Sequence, residues 1–126
     1  MLTITSDDAA GLIELTVDGA IDRADYEAAV AAVDDLLTRH DKLNVIEVVK
    51  TIGWVDFGVW WRDAVFHLTH RGWLNRVAVV SDSGWIGPLT RFLAPLYPAE
   101  IRTFALDEIE DARTWTRIGN VTHAAA

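Results

Sequence analysis

Cysteine is absent from the 126 residues. Its absence excludes thiol catalysis, disulfide bracing and cysteine-ligated zinc, so the fold must stand on its core. A chain of this length buries about two-thirds of the surface its unfolded form exposes, enough for one self-supporting domain. Proline is scarce at three residues, and no linker, repeat or low-complexity stretch divides the sequence. Apolar runs stay short of the roughly 18 residues that a membrane-spanning helix requires. Positive charge is the other deficit: 11 Lys and Arg stand against 19 Asp and Glu, a formal charge of -8. Counterion release cannot then drive binding to phosphate backbones, and nucleic acid is set aside as a partner. Asp7, Asp8, Glu14 and Asp18 open the chain with no early lysine or arginine, so no secretory signal is read and the expected location is the cytoplasm.

What is present reads as alternating strands and helices. Leu2 and Ile4 form a short first strand, Ala10-Gly11 a turn, and Ile13, Leu15 and Val17 alternate with Glu14 and Thr16 in a second strand that Asp18-Gly19 ends. Asp22 is a good N-cap for a helix with Asp25 and Glu27 in its first turn and an apolar stripe of Tyr26, Val30, Val33 and Leu37. Leu43 to Val49 and Arg76 to Ser81 are nearly unbroken apolar runs rich in β-branched residues, the pattern of central parallel strands. Phe57 to Arg71 is long enough for a crossover helix and Gly72 marks its end. Pro88 suits the first turn of a short helix that Pro95 and Pro98 terminate. Ile101 to Phe104 reads as an edge strand, and Asp107 caps a last helix bearing Arg113 and Arg117. The expected fold is α/β: a single-layer, mostly parallel sheet of about five strands with four helices, the first strand antiparallel. One domain is expected over residues 1–119, with a frayed tail at 120–126.

Charge and tryptophan are unevenly spread. Residues 1–50 carry 11 acids and 4 bases (net -7), residues 51–99 carry 3 and 4 (+1), and residues 100–126 carry 5 and 3 (-2). The middle stretch also holds Trp54, Trp60, Trp61, Trp73 and Trp85, five of the six tryptophans. The expected middle helix is apolar on nearly every side, through Phe57, Val59, Trp60, Trp61, Val65 and Phe66, so it must contact something on more than one face. Two explanations stand. A second helix or a subunit covers the extra face, or the segment lines an apolar cavity or meets a membrane surface, with Arg62, Arg71, Arg76 and Arg91 available to an anionic group.

Other constellations point more weakly to chemistry. His67 and His70 share a helical face with Asp63 one turn back, but two imidazoles need a further ligand, and no metal site is assigned. Asp63 and His67 lack an adjacent nucleophile and are read as an ordinary helix-surface pair. Ser81-Asp82-Ser83-Gly84 follows a central strand, where α/β proteins bind ligands, yet its two-glycine loop with Gly87 falls short of a phosphate-binding fingerprint. No catalytic set and no cofactor are expected.

The order and spacing of several segments resemble the SpoIIAA-like proteins, bacterial single domains related in fold to STAS domains. The resemblance runs from about Leu12 to Trp115: Val17-Asp18-Gly19 with Ile21-Asp22 and Asp25-Tyr26, then Trp61-Arg62-Asp63, Arg76-Val77-Ala78-Val79-Val80 running to Trp85, and Arg102-Thr103-Phe104 followed by Ala112 and Trp115. It implies a βα superhelix with strands in near-sequential order. STAS regulators are phosphorylated on a serine after the central strand, and the matching segment here, Lys50-Thr51-Ile52-Gly53-Trp54-Val55-Asp56, has no hydroxyl following an acid. Ser83 comes one βα unit too late, so no phosphorylation switch is read. By similarity to lipid-carrying CRAL-TRIO folds, the resemblance implies a non-polar ligand pocket under a mobile helix at about Trp85 to Tyr97.

The expected function is therefore non-catalytic: a carrier or sensor of a non-polar or amphipathic small molecule, with peripheral membrane association as an accompanying property. Trp54, Phe57, Trp60 and Trp61 from the second helix region would enclose the ligand with Trp85, Leu89, Phe92 and Leu93, and Arg62 or Arg91 would meet an anionic head. The alternative is a protein-interaction module or homodimer whose interface is the same aromatic surface.

Overall fold

The computed structural model describes residues 1–55, 72–82 and 100–125, and of these all side chains except those of 21, 51–55 and 118–125. Five strands, β1 (Leu2–Asp7), β2 (Leu12–Ile21), β3 (Leu43–Val55), β4 (Leu74–Ser81) and β5 (Glu100–Phe104), form one sheet in sequential order. β1 pairs antiparallel with β2, and every later pair is parallel. Two α-helices lie among the described residues, α1 (Arg23–Leu37) and α2 (Ile109–Ala125). The other two expected helices fall at 56–71 and 83–99, outside the described residues.

The two helices cover opposite faces of the sheet. On the α1 face Leu36, Val33 and Leu37 pack against Ile13, Leu43 and Val77. On the other, Ala112, Ile109 and Trp115 of α2 pack against Ile46, Val48 and Val80. Strand alternation makes this possible, because successive residues of β3 and β4 send side chains to opposite sides. Trp73 is part of the α1-side core, only 7% exposed, so it is a packing residue.

Local chemistry sets the element ends, and several differ from the sequence expectation. Asp22 caps α1 as expected: its Oδ1 accepts from the Asp25 N–H at 2.9 Å, and Asp25 Oδ2 accepts from the Asp22 N–H at 3.2 Å. Asp22→Ala is expected to cost about 1 kcal/mol by removing one arm of this reciprocal box, measurable as a shift in the urea unfolding midpoint. Asp18-Gly19 does not end β2. The strand continues to Ile21 through two register shifts against β3, helped by Gly19 at φ +87. Each shift places an extra residue on β3, which runs on to Val55 because Thr51, Ile52, Trp54 and Val55 favour extended backbone. Trp54 consequently stands on a strand and not in a helix region.

The last helix also begins differently. Asp107 lies inside a 3-10 turn, Leu106–Glu108, instead of capping α2. The open amides there are met from elsewhere: Glu108 Oε1 accepts from the Ala105 N–H at 2.8 Å, and Asp82 Oδ1, from the end of β4, accepts from the Leu106 N–H at 2.9 Å. α2 is helical through Ala125.

Candidate ligand-binding site

Two polar residues interrupt the apolar start of β3, and the pleat sends them to opposite faces. Asn44 points to the α2 side with Ile46 and Val48, while Glu47 points to the α1 side with Val45 and Val49. Their surroundings differ sharply. Asn44 is 0% exposed and fully used: its Nδ2 donates to the Thr116 carbonyl at 2.7 Å, and its Oδ1 accepts from Asn75 Nδ2 and the Arg76 N–H, each at 3.0 Å. Thr116, also 0% exposed, returns its hydroxyl to the Ala112 and Arg113 carbonyls. Arg76 reinforces the joint, donating to the Trp115 carbonyl at 2.8 Å while its guanidinium lies 4.8 Å from the Trp115 ring centre. This network pins α2 to β3 and β4.

Glu47 has no such support. In the parallel ladder it aligns with Leu15 of β2 and Val79 of β4, and Val45 and Val49 flank it along the strand. Both valines are buried, at 7% and 5% exposure, yet the glutamate between them is solvent-exposed. Desolvation alone pushes its carboxyl above the ordinary carboxylate range. Among the described residues nothing donates a hydrogen bond to this carboxylate and no opposite charge pairs with it. A carboxyl on an apolar face of a sheet can hold a proton or accept from a ligand's donor.

A concavity of about 370 Å³ lies beside β1 and β2 and includes Thr5, Ser6, Leu12 and Arg117. Its ionic groups already have partners. Arg113 grips Glu14 through two contacts of 2.9 and 3.0 Å and also pairs with Glu110, while Arg117 reaches Asp7 at 3.4 Å. The Glu14 carboxylate, with Glu110, holds the Arg113 guanidinium firmly charged. Asp8, on the rim, is held below the ordinary carboxylate range by Arg39, which also pairs with Asp35. These contacts tie the β1–β2 turn to α1 and β2 to α2, so the cleft is a charged seam between elements.

The sequence-predicted site lies almost wholly outside the described residues. Phe57, Trp60, Trp61, Arg62, Trp85, Leu89, Arg91, Phe92 and Leu93 all fall at 56–71 or 83–99, as do Asp63, His67, His70 and Ser83. Trp54 is placed by its backbone only, on β3 beyond Glu47. Ser81 and Asp82 close β4, and Asp82 serves the amide of Leu106. Among the described residues no group of three His, Asp or Glu side chains is disposed to hold a metal, and no helix is long and apolar enough to cross a membrane. Glu47 was missed by sequence reasoning. Its signal is a lone acid in a central-strand run, on the parity opposite to Asn44.

Comparison with known proteins agrees with this architecture. A solved structure from Shewanella loihica PV-4, a DUF3478-family protein with a SpoIIAA-like fold, superposes with a TM-score of 0.69 over 92% of each chain at 18% identity, a likeness of fold. No curated protein matches the chain. The family model described as SpoIIAA-like matches residues 12–117, a span from the first residue of β2 into α2. The chain belongs to the SpoIIAA-like family.

Proposed function

We propose that the chain is a non-catalytic binding protein, a carrier or sensor of a non-polar or amphipathic small molecule held over the α1 face of the sheet. The observation that carries this reading is Glu47, a solvent-exposed carboxyl without a partner among the described residues, set between the buried Val45 and Val49 on the middle strand of the sheet. A closed core gains nothing from such a group, since a buried carboxyl without partners costs stability. An apolar site with a single convergent polar group is the usual make-up of a small-molecule pocket. The proposed lining is the aromatic set Trp54, Phe57, Trp60 and Trp61, together with Trp85, Leu89, Phe92 and Leu93. Arg62 and Arg91 belong to the same segments of sequence, and those segments are also the proposed contact with an anionic membrane surface.

The test uses the chain's own tryptophans. Nile red, an uncharged apolar dye, is expected to bind saturably at a single site per chain and to change the tryptophan emission. Trp61→Ala with Phe92→Ala is expected to lose the dye while keeping the wild-type unfolding midpoint. Anionic phospholipid vesicles, titrated separately, report membrane contact. If neither dye nor vesicles change the emission, and sedimentation shows a stable dimer that shields tryptophan from iodide, the aromatic segment is an interface and the carrier reading is wrong.

A further inference from the structure

We infer that the outer edge of β1 is a self-association surface, where a second copy of this chain adds its own β1 antiparallel and joins the two sheets into one. The inference is independent of the carrier reading and uses a different part of the chain from the aromatic segments.

The pairing of β1 fixes which of its backbone groups are left over. Met1 and Asp18 exchange both hydrogen bonds, the Met1 amine donating to the Asp18 carbonyl and the Asp18 N–H to the Met1 carbonyl, each at 2.9 Å. Antiparallel strands alternate such hydrogen-bonded pairs with open ones, and the register runs unbroken from Leu2 opposite Val17 to Asp7 opposite Leu12. Thr3, Thr5 and Asp7 therefore turn their N–H and C=O groups toward β2, while Leu2, Ile4 and Ser6 turn theirs outward. β1 is the last strand on that side of the sheet, and no described residue hydrogen-bonds to its outer edge. Thr3, Thr5 and Ser6 are solvent-exposed.

Open edges are commonly guarded by charge, proline or a bulge. The opposite edge of the sheet has such a guard, because β5 carries Glu100 and Arg102 within five residues. β1 has neither charge nor proline from Leu2 to Ser6, and no bulge interrupts its pairing. The same stretch is self-complementary. A two-fold axis at Ile4 sets Leu2 opposite the partner's Ser6, Ile4 opposite the partner's Ile4 and Ser6 opposite the partner's Leu2, so every outward N–H and C=O of these residues is matched. Thr3 then faces the partner's Thr5, a favourable pair across strands. Ile4 joins the core on the α1 face, and the two copies of it carry that apolar surface across the seam. Charge selects the antiparallel arrangement. It puts the two Asp7 carboxylates at opposite ends of the ribbon, about 20 Å apart at the rise of a strand, beyond the screening length of about 8 Å at physiological ionic strength. Parallel pairing would align Asp7 with Asp7 in chains that each carry a charge of -8.

Sedimentation equilibrium of the whole chain, from low micromolar to submillimolar concentration, reads the association. The wild type is expected to approach twice the chain mass of 14.0 kDa. Ser6→Pro deletes an N–H that points outward and leaves the ladder to β2 whole. It is expected to be monomeric where the wild type is dimeric, with the same unfolding midpoint when both are measured dilute. Thr3→Lys with Thr5→Lys keeps every backbone group but sets lysine against lysine twice across the seam. It is expected to weaken the dimer about tenfold or more, although the added lysines bring each chain from -8 to -6 and so reduce overall repulsion. Mixing this variant with Thr3→Glu, Thr5→Glu is expected to restore a dimer with one chain of each kind, which excludes misfolding as the cause of dissociation. A wild type that stays monomeric throughout overturns the inference. A dimer that keeps its wild-type affinity in either Ser6→Pro or the lysine variant also overturns it, and places the interface elsewhere.

Discussion

Asn44→Ala is expected to cost about 3 kcal/mol of stability, near the upper end of single-residue effects. The side chain is 0% exposed and makes three hydrogen bonds, one donated to the Thr116 carbonyl and two accepted from Asn75 and the Arg76 N–H. Alanine removes all three and leaves the Arg76 N–H without this acceptor in a place water reaches only at a cost, while the Thr116 carbonyl keeps only its bond within the helix. The truncation also opens a cavity between β3 and α2, adding a packing penalty. Thermal unfolding should report a midpoint lower by about 10 °C for a domain of this size. The loss should be local in character. Hydrogen exchange is expected to accelerate most at the amides around Ala112 and Thr116, which depend on this joint, and much less in α1, whose contacts lie on the other face. Thr116→Val, which removes only a hydroxyl shared between the Ala112 and Arg113 carbonyls within the same helix, should cost far less. A midpoint for Asn44→Ala within two degrees or so of wild type would show that α2 is held by its apolar contacts alone.

The sheet was readable in the sequence because its signals are local and redundant. β-branched runs at Leu43 to Val49 and Val77 to Val80, the alternation of Ile13, Leu15 and Val17, and an aspartate three residues before a second acid at the helix start each point the same way. The boundaries failed where a distant partner decides. Asp18-Gly19 has the composition of a turn, yet β3 offers a pairing edge that carries β2 on to Ile21, with the mismatch absorbed by bulges. Asp107 has the composition of a cap, yet Asp82, remote in sequence, meets the Leu106 amide. The site was less readable than the fold for a related reason. Reading Leu43 to Val49 as a nearly unbroken apolar run passed over Asn44 and Glu47, although their separation by three places them on opposite faces of the sheet. Parity alone could have flagged that each face of the central strand holds one polar group. Only the structure shows that the first has partners for its hydrogen bonds and that the second has none among the described residues.

Glu47→Leu is expected to raise stability at alkaline pH and to remove part of the pH dependence of unfolding. The direction follows from proton linkage. Burial raises the folded-state affinity of Glu47 for its proton above that of an ordinary glutamate, which titrates near 4.5. A proton held more tightly by the folded state favours folding, so the contribution of Glu47 is most favourable below that ordinary value. It is lost progressively as the pH climbs through the raised one. Above that range the wild type carries a charge that has no partner among the described residues and is flanked by buried valines. Leucine relieves about 1 to 2 kcal/mol there, a modest figure because the carboxylate keeps some contact with water. Urea unfolding of wild type, Glu47→Gln and Glu47→Leu at pH 5 and pH 8 reads the effect as a difference of differences, in which the titration of every other acid cancels. A leucine variant less stable than wild type at pH 8, with an unchanged pH slope, would show that the carboxylate has a stabilising partner.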